Sequence, residues 1–366
     1  MEIQKRQKTM KHLRFLFFSM ILLMSCNDPI GEETVIKAYV TLQGIDQVAV
    51  VDIAGREVMK YVDVDILNTG DRPHYVVVDQ SHGYWYVTLI SSGYVLKFDM
   101  KNDELVDSLK VGNMPALMAI DATTQTLYVS RFMPMPAMGM MGSNSTVINV
   151  IDAATMTVTG DVSVGARSPH GIAISSDGKT LWVASNEASH FFKIQTSQMF
   201  IEGYKPESFK LGHNVPDSYA INDMFYNALE LELSHDDTKL FVTCSGSDEV
   251  RVFNTVTGDS LDTYPLSKQP WHLVLSDDDK NLFVTNRSGG SISKINLSSG
   301  SVSVLSDSLI ALPHGCGLTT DETNLLVSSS EGNRLLVIDT ESMVISDVIN
   351  LETPMSMPTG LAVVRE

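Results

Sequence analysis

Short apolar runs recur along the chain with one spelling: Tyr39-Val40-Thr41-Leu42, Tyr86-Val87-Thr88-Leu89, Tyr128-Val129-Ser130, Trp182-Val183-Ala184-Ser185-Asn186, Phe241-Val242-Thr243 and Phe283-Val284-Thr285-Asn286. Their β-branched and aromatic content predicts strands. A polar turn such as Ser175-Ser176-Asp177-Gly178 or Ser276-Asp277-Asp278-Asp279 precedes each run. Before the turn lies a second strand, usually opened by proline: Pro73, Pro115, Pro169, Pro270, Pro313 and Pro358, with Ala228 where a seventh would fall. The intervals are 42, 54, 59, 42, 43 and 45 residues. A unit of four strands needs ~40–50 residues, the size of a propeller blade.

Each unit reads as strands A to D; blade three is Ala116–Asp121, Thr126–Arg131, Thr146–Asp152 and Met156–Val164. Seven A strands follow the opening position, at 74, 116, 170, 229, 271, 314 and 359. The last has no B, C or D after it. At the other end, Ala38–Leu42, Gln47–Ile53 and Val58–Val64 have no A strand of their own. The expected fold is all-β: a seven-bladed β-propeller over 37–366, blade one closed by N-terminal B, C and D strands and the C-terminal A strand. Such closure removes the exposed edges of an open array.

The run Pro169-His170-Gly171-Ile172-Ala173-Ile174-Ser175-Ser176-Asp177-Gly178-Lys179-Thr180-Leu181-Trp182-Val183-Ala184-Ser185-Asn186 resembles the YVTN-repeat propellers, which include bacterial surface-layer-like and YncE-like proteins. The likeness covers nearly all of 37–366. It implies the fold and leaves the function open, because this architecture hosts lactonases, quinoprotein and copper enzymes, and pure binders.

Hydrophobic residues make up 43% and charged residues 19%, which excludes a disordered or collagenous chain. A basic stretch, Lys5 to Arg14, leads into the apolar run Phe15–Met24 and then Ser25-Cys26. The run is too short to span a bilayer and has the form of a secretory signal segment. Leu23-Met24-Ser25-Cys26 resembles the lipobox of bacterial lipoproteins, which implies lipidation at Cys26; a plain signal peptide cleaved nearby is the alternative. Either Met1 or Met10 can start such a peptide. The expected organisation is a signal peptide over 1–25, a lipidated tether over 26–36 and then the propeller. The protein is expected to be exported and held in the bacterial envelope, at the outer membrane or on the periplasmic side, touching membrane through its lipid alone. Without 1–25 the chain carries 21 basic against 43 acidic residues. That charge repels phosphate backbones and argues against nucleic acid as a partner.

Connectivity places candidate chemistry. In an A-B-C-D meander the A–B and C–D turns share one face, and the B–C and D-to-A loops share the other. The residues opening the A strands ring the mouth of the central channel on that second face: His74, Ala116, His170, Leu229, Trp271, His314 and Thr359, followed by Tyr75, Leu117, Gly171, Glu230, His272, Gly315 and Gly360. Four histidines (His74, His170, His272, His314) thus converge. His190 and His213 belong to the same face, and His82 and His235 to the opposite one. Converging imidazoles can bind metal or act as acid and base, with copper a candidate. Equally, Pro-His can be a habit of the repeat, its ring bonded to backbone.

Two insertions fall on the same face. Residues 131–145 hold Met133, Met135, Met138, Met140 and Met141 among Pro and Gly. Thioethers suit Cu(I), and they also make an adaptable apolar surface. The second insertion adds His213, Tyr219, Met224, Phe225 and Tyr226, which with Trp271 complete a candidate ligand lid; Met355 and Met357 lie in a third loop. Glu230 and Glu232, on the fifth A strand, are candidate acid/base groups or cation ligands, or are simply solvated in the channel. Cys244 and Cys316 lie in non-adjacent blades and read as core thiols. There is no Gly-x-Ser-x-Gly elbow and no Cys-x-x-Cys-His haem attachment. The leading expectation is a lipid-anchored binding propeller with a small molecule or metal ion at a His/Met-lined mouth. A metal-dependent oxidoreductase or lactonase-like hydrolase using axial His and Glu is the alternative. A third reading is a platform for envelope proteins.

Overall fold

The computed structural model describes residues 36–68, 70–112, 114–132, 147–218, 225–351 and 354–364. Cys26 with the lipobox, the five loop methionines, Tyr219 and Met224 lie outside the described residues. Among the described residues there are twenty-eight strands and no helix. They form seven four-stranded antiparallel sheets, the blades of a β-propeller. One sheet joins the chain ends: β28 (Pro358–Val363) pairs with β1 (Lys37–Leu42), followed by β2 (Gln47–Asp52) and β3 (Glu57–Asp63). The expected shared blade is therefore present.

The near-continuous apolar spelling of the B strands has a packing cause. In β13 (Thr180–Ser185), Leu181 and Val183 face blade three while Trp182 and Ala184 face blade five. Both faces of the sheet are buried, so alternation disappears. Every pair of neighbouring blades shares its own apolar cluster, the ring closing where Leu326, Leu335 and Val337 meet Ala38, Val40 and Leu42. Each fully buried Leu, Val or Phe contributes roughly 1.5–3 kcal/mol. The D strands are the outer edges and stay mostly exposed, as in β7 (Leu105–Lys110).

The Thr or Ser of the repeated spelling stitches blades together. Most A–B ladders bulge at the opening of the A strand, which releases backbone groups from the ladder. In blade two, Thr88 Oγ1 accepts from Tyr75 N–H (3.1 Å) and donates to Ala116 O of blade three (2.8 Å). Thr41, Ser130, Thr243, Thr285 and Ser328 repeat this double bond, reaching the carbonyls of His74, His170, Trp271, His314 and Thr359. Blade four carries Ala184 instead and has no hydroxyl to give. There the carbonyl of Leu229 receives His170 Nδ1–H at 2.8 Å.

A second device fixes the channel mouth. The residue two before each A-strand opening (Arg72, Met114, Ser168, Asn227, Gln269, Leu312, Met357) holds a left-handed φ between 47° and 61°. That conformation costs roughly 1–2 kcal/mol for a non-glycine residue. Each of these residues accepts, at its carbonyl, the backbone N–H of the residue two beyond the stitching position of a B strand: Ile90, Phe132, Asn186, Ser245, Arg287, Ser330 and Gln43 respectively. Those seven residues form a rim beside the ring of A-strand openings. Adjacent A strands also approach closely at the axis. A Cβ on Gly171, Gly315 or Gly360 would come within 2.4–2.7 Å of the neighbouring strand's backbone.

Candidate functional site

The four expected histidines do converge. The rings of His74 and His314 lie 5.4 Å apart between centroids, His74 and His170 6.3 Å, and His272 and His314 4.8 Å. All four are buried, none above 8% exposed. Burial holds His74 and His314 well below the usual histidine range, and neighbouring imidazoles and Arg287 push them further the same way. His170 is pushed down to about 3 by burial, its bond to Leu229 opposing the shift.

Their hydrogen bonds give them different roles. His170 spends Nδ1 on Leu229 O and packs edge-on against Phe132 (4.6 Å). It is the blade-four substitute for a stitching hydroxyl. His74 Nδ1 lies 3.4 Å from Gln43 Nε2 on the rim. His314 Nε2 accepts from Trp271 Nε1–H (3.0 Å), which fixes its proton on Nδ1. His272 Nδ1 meets Glu230 Oε2 at 2.5 Å, and the same oxygen accepts Leu273 N–H at 3.2 Å. The Tyr75 ring stacks parallel to His272, 5.9 Å away.

Among the described residues, three buried nitrogens of this cluster have no hydrogen-bond partner: His272 Nε2, His314 Nδ1 and Arg287 Nε. Buried polar groups are normally paired, so such orphans mark a strained or ligand-ready place. The Arg287 guanidinium lies over Trp271, 4.9 Å from the ring centroid, and both side chains are half-buried at the rim. Below them, burial pushes the Tyr75 phenol and the Cys316 thiol well above their usual ranges, and the charges of Glu230 and Glu232 push both further up.

Among the described residues, no group of three or more His, Cys, Asp or Glu side chains is arranged to hold a metal ion. Each of His170, His272 and His314 has already committed one nitrogen to a protein partner. Glu230 is buried against His272 rather than solvated in the channel. Trp271 stands at the mouth as expected, but two other lid candidates do not. His213 is exposed and lines an outer crevice with Phe209, Lys210 and Arg251. Tyr226 is a core residue beneath the Arg251 guanidinium (4.7 Å), because its ring fills the space left by Gly212. On the opposite face His82 pairs with Asp79 and His235 with Asp279, as turn residues. Gln43 and Arg287 were not among the expected residues. Their signal is positional: both fall two residues after the Thr of the repeated B-strand spelling.

Fold and site together define a seven-bladed β-propeller with a polar, imidazole-rich cluster buried at one end of its channel. No protein-family profile matches the chain, and neither does any curated protein. Solved structures do. A protein of unknown function from Desulfotomaculum acetoxidans DSM 771 aligns at a TM-score of 0.68 with 13% identity, over 90% of this chain and 99% of that one. A candidate 6-phosphogluconolactonase from Bacteroides fragilis NCTC 9343 aligns at 0.66 with 14% identity, over 92% of this chain and 100% of the other. A streptogramin B lyase aligns at 0.62 with 15% identity, over 79% and 86%. At these identities the likeness shows the fold.

Proposed function

We propose that this protein is an envelope-held propeller that binds a small organic molecule at the imidazole-lined end of its central channel. The observation that carries the reading is the set of three buried, unpartnered nitrogens, His272 Nε2, His314 Nδ1 and Arg287 Nε, around one mouth. A ligand that satisfies them gains charge-assisted and neutral hydrogen bonds in a dry setting, where each counts for more than in water. The envelope location rests on the Leu23-Met24-Ser25-Cys26 spelling. Copper held by histidines and loop methionines gains no support from the described residues, where no three His, Cys, Asp or Glu side chains are grouped to hold an ion.

The His272–Glu230 pair favours a second reading. A carboxylate bonded to Nδ1 orients an imidazole so that Nε2 can take a proton, the arrangement of a general base. The fold carries small-molecule chemistry in a lyase and a candidate lactonase, so a hydrolase is the form of enzyme this site suits.

A thermal-shift screen of small metabolites and of Cu(II), Cu(I) and Zn(II) tests the proposal. Compounds should stabilise the wild type and fail to stabilise His314→Phe, which keeps the ring and removes the donor. Hits that stabilise both proteins equally would place binding elsewhere. Turnover of an added lactone that is lost in His272→Gln would select the hydrolase over the pure binder.

A further inference from the structure

We propose that the mouth takes a 2-hydroxycarboxylate, its carboxylate accepting from Arg287 Nε–H and His314 Nδ1–H and its hydroxyl donating to His272 Nε2. The assignment deepens the binding reading above and rests on it.

The donor and acceptor pattern follows from partners already in place. Trp271 can only donate, so His314 Nε2 is the acceptor of that bond and Nδ1 bears the hydrogen. His314 Nδ1–H is therefore a buried donor with nothing to donate to. Arg287 Nε–H is a second such donor, and it carries a positive charge. Two donors, one of them cationic, match the two oxygens of a carboxylate. His272 gives Nδ1–H to the Glu230 carboxylate, which leaves Nε2 as its acceptor end. That nitrogen needs a hydroxyl or amine hydrogen.

Scale and charge agree. His272 and His314 stand 4.8 Å apart between ring centroids, so the acceptor and the donor belong to neighbouring rings. The His314 and Trp271 rings are 5.7 Å apart, with Arg287 stacked on the latter. An amine in place of the hydroxyl would put a second cation beside Arg287. The body of the protein is strongly acidic, yet this mouth collects Arg287, Arg72 and four imidazoles. Of the carboxylates near the mouth, Glu230 is engaged by His272 and Leu273 N–H, and Glu331 acts on Arg287. An anion entering the mouth meets the Arg287 guanidinium as its fixed positive charge.

The test uses the full chain in detergent, with histidine-selective 15N NMR and calorimetry, and three probes: L-lactate, propionate and lactamide. Lactate should move the His272 and His314 imidazole signals and bind about tenfold or more tighter than propionate, which leaves His272 Nε2 unpaired. Lactamide, which lacks the charge, should lose about tenfold or more. Arg287→Lys, which keeps a charge and removes the Nε–H, should weaken lactate and leave lactamide unchanged. If propionate or lactamide matches lactate while the imidazole signals still move, the ligand class is wrong and the binding site stands. If none of the three moves either imidazole, the site itself is wrong.

Discussion

Replacing His170 with alanine removes the group that stands in for the missing hydroxyl of blade four. The imidazole is 1% exposed, donates to Leu229 O at 2.8 Å and packs on Phe132. Leaving a buried carbonyl without its donor costs about 1–3 kcal/mol. Losing the ring's packing adds about 1 kcal/mol or more. Unfolding entropy for a domain of this size is roughly 0.7 kcal/mol/K, so a loss of about 2–4 kcal/mol lowers Tm by about 3–6 °C. The informative partner change is Ala184→Ser, which restores the hydroxyl that Ser130 and Ser328 supply elsewhere. In the His170→Ala background the serine should recover about 1 kcal/mol more than it adds to the wild type. Urea unfolding of the four proteins, followed by circular dichroism, gives the coupling directly. A coupling below about 0.3 kcal/mol would refute the substitution of imidazole for hydroxyl at this seam.

Stability should also depend on pH in a defined window. His170, at about 3, and His74 and His314, held well below the usual range, stay neutral in the folded protein where the unfolded chain binds protons. Their contribution is complete above pH ~6.5 and is lost as pH falls toward the folded values, at up to about 1.4 kcal/mol per pH unit for each. The urea midpoint should be level from pH 7 to 8 and fall from 6.5 to 4.5, less steeply in His170→Ala; a level midpoint throughout contradicts it. Deleting 358–366 removes β28, the inner strand of blade one, and with it Leu361 from the cluster shared by blades one and seven. Global unfolding by thermal scan is expected, and a Tm within a few degrees of wild type would contradict the shared blade.

The repeat made the fold legible because each blade must bury both sheet faces and reuse one turn chemistry, so B strands such as Trp182–Ser185 share a spelling. Some strand limits differ by about one residue from expectation, as in β8 (Pro115–Asp121) and β10 (Val147–Asp152), while β9 (Thr126–Arg131) matches it. The convergence of His74, His170, His272 and His314 also followed from their column. Their separate roles did not, because roles depend on partners in other blades. His170 could have been read as structural only by noticing that Ala184 breaks the Thr/Ser column next to it. Arg287 and Gln43 sit in turns whose projection toward the axis is set by the bond to a left-handed residue one strand away, a feature no local pattern displays. Tyr226 looked like lid chemistry because its loop is long, yet a neighbouring Gly212 leaves room for its ring in the core.

The most direct measurement is a crystal structure of the full chain bound to a compound that stabilises it in the thermal-shift screen. Ligand density is expected in contact with His272 Nε2, His314 Nδ1 and Arg287 Nε, with the Trp271–His314 and Glu230–His272 bonds retained. Density in the outer crevice lined by Lys210, His213 and Arg251, with the three nitrogens still unpartnered, would contradict it.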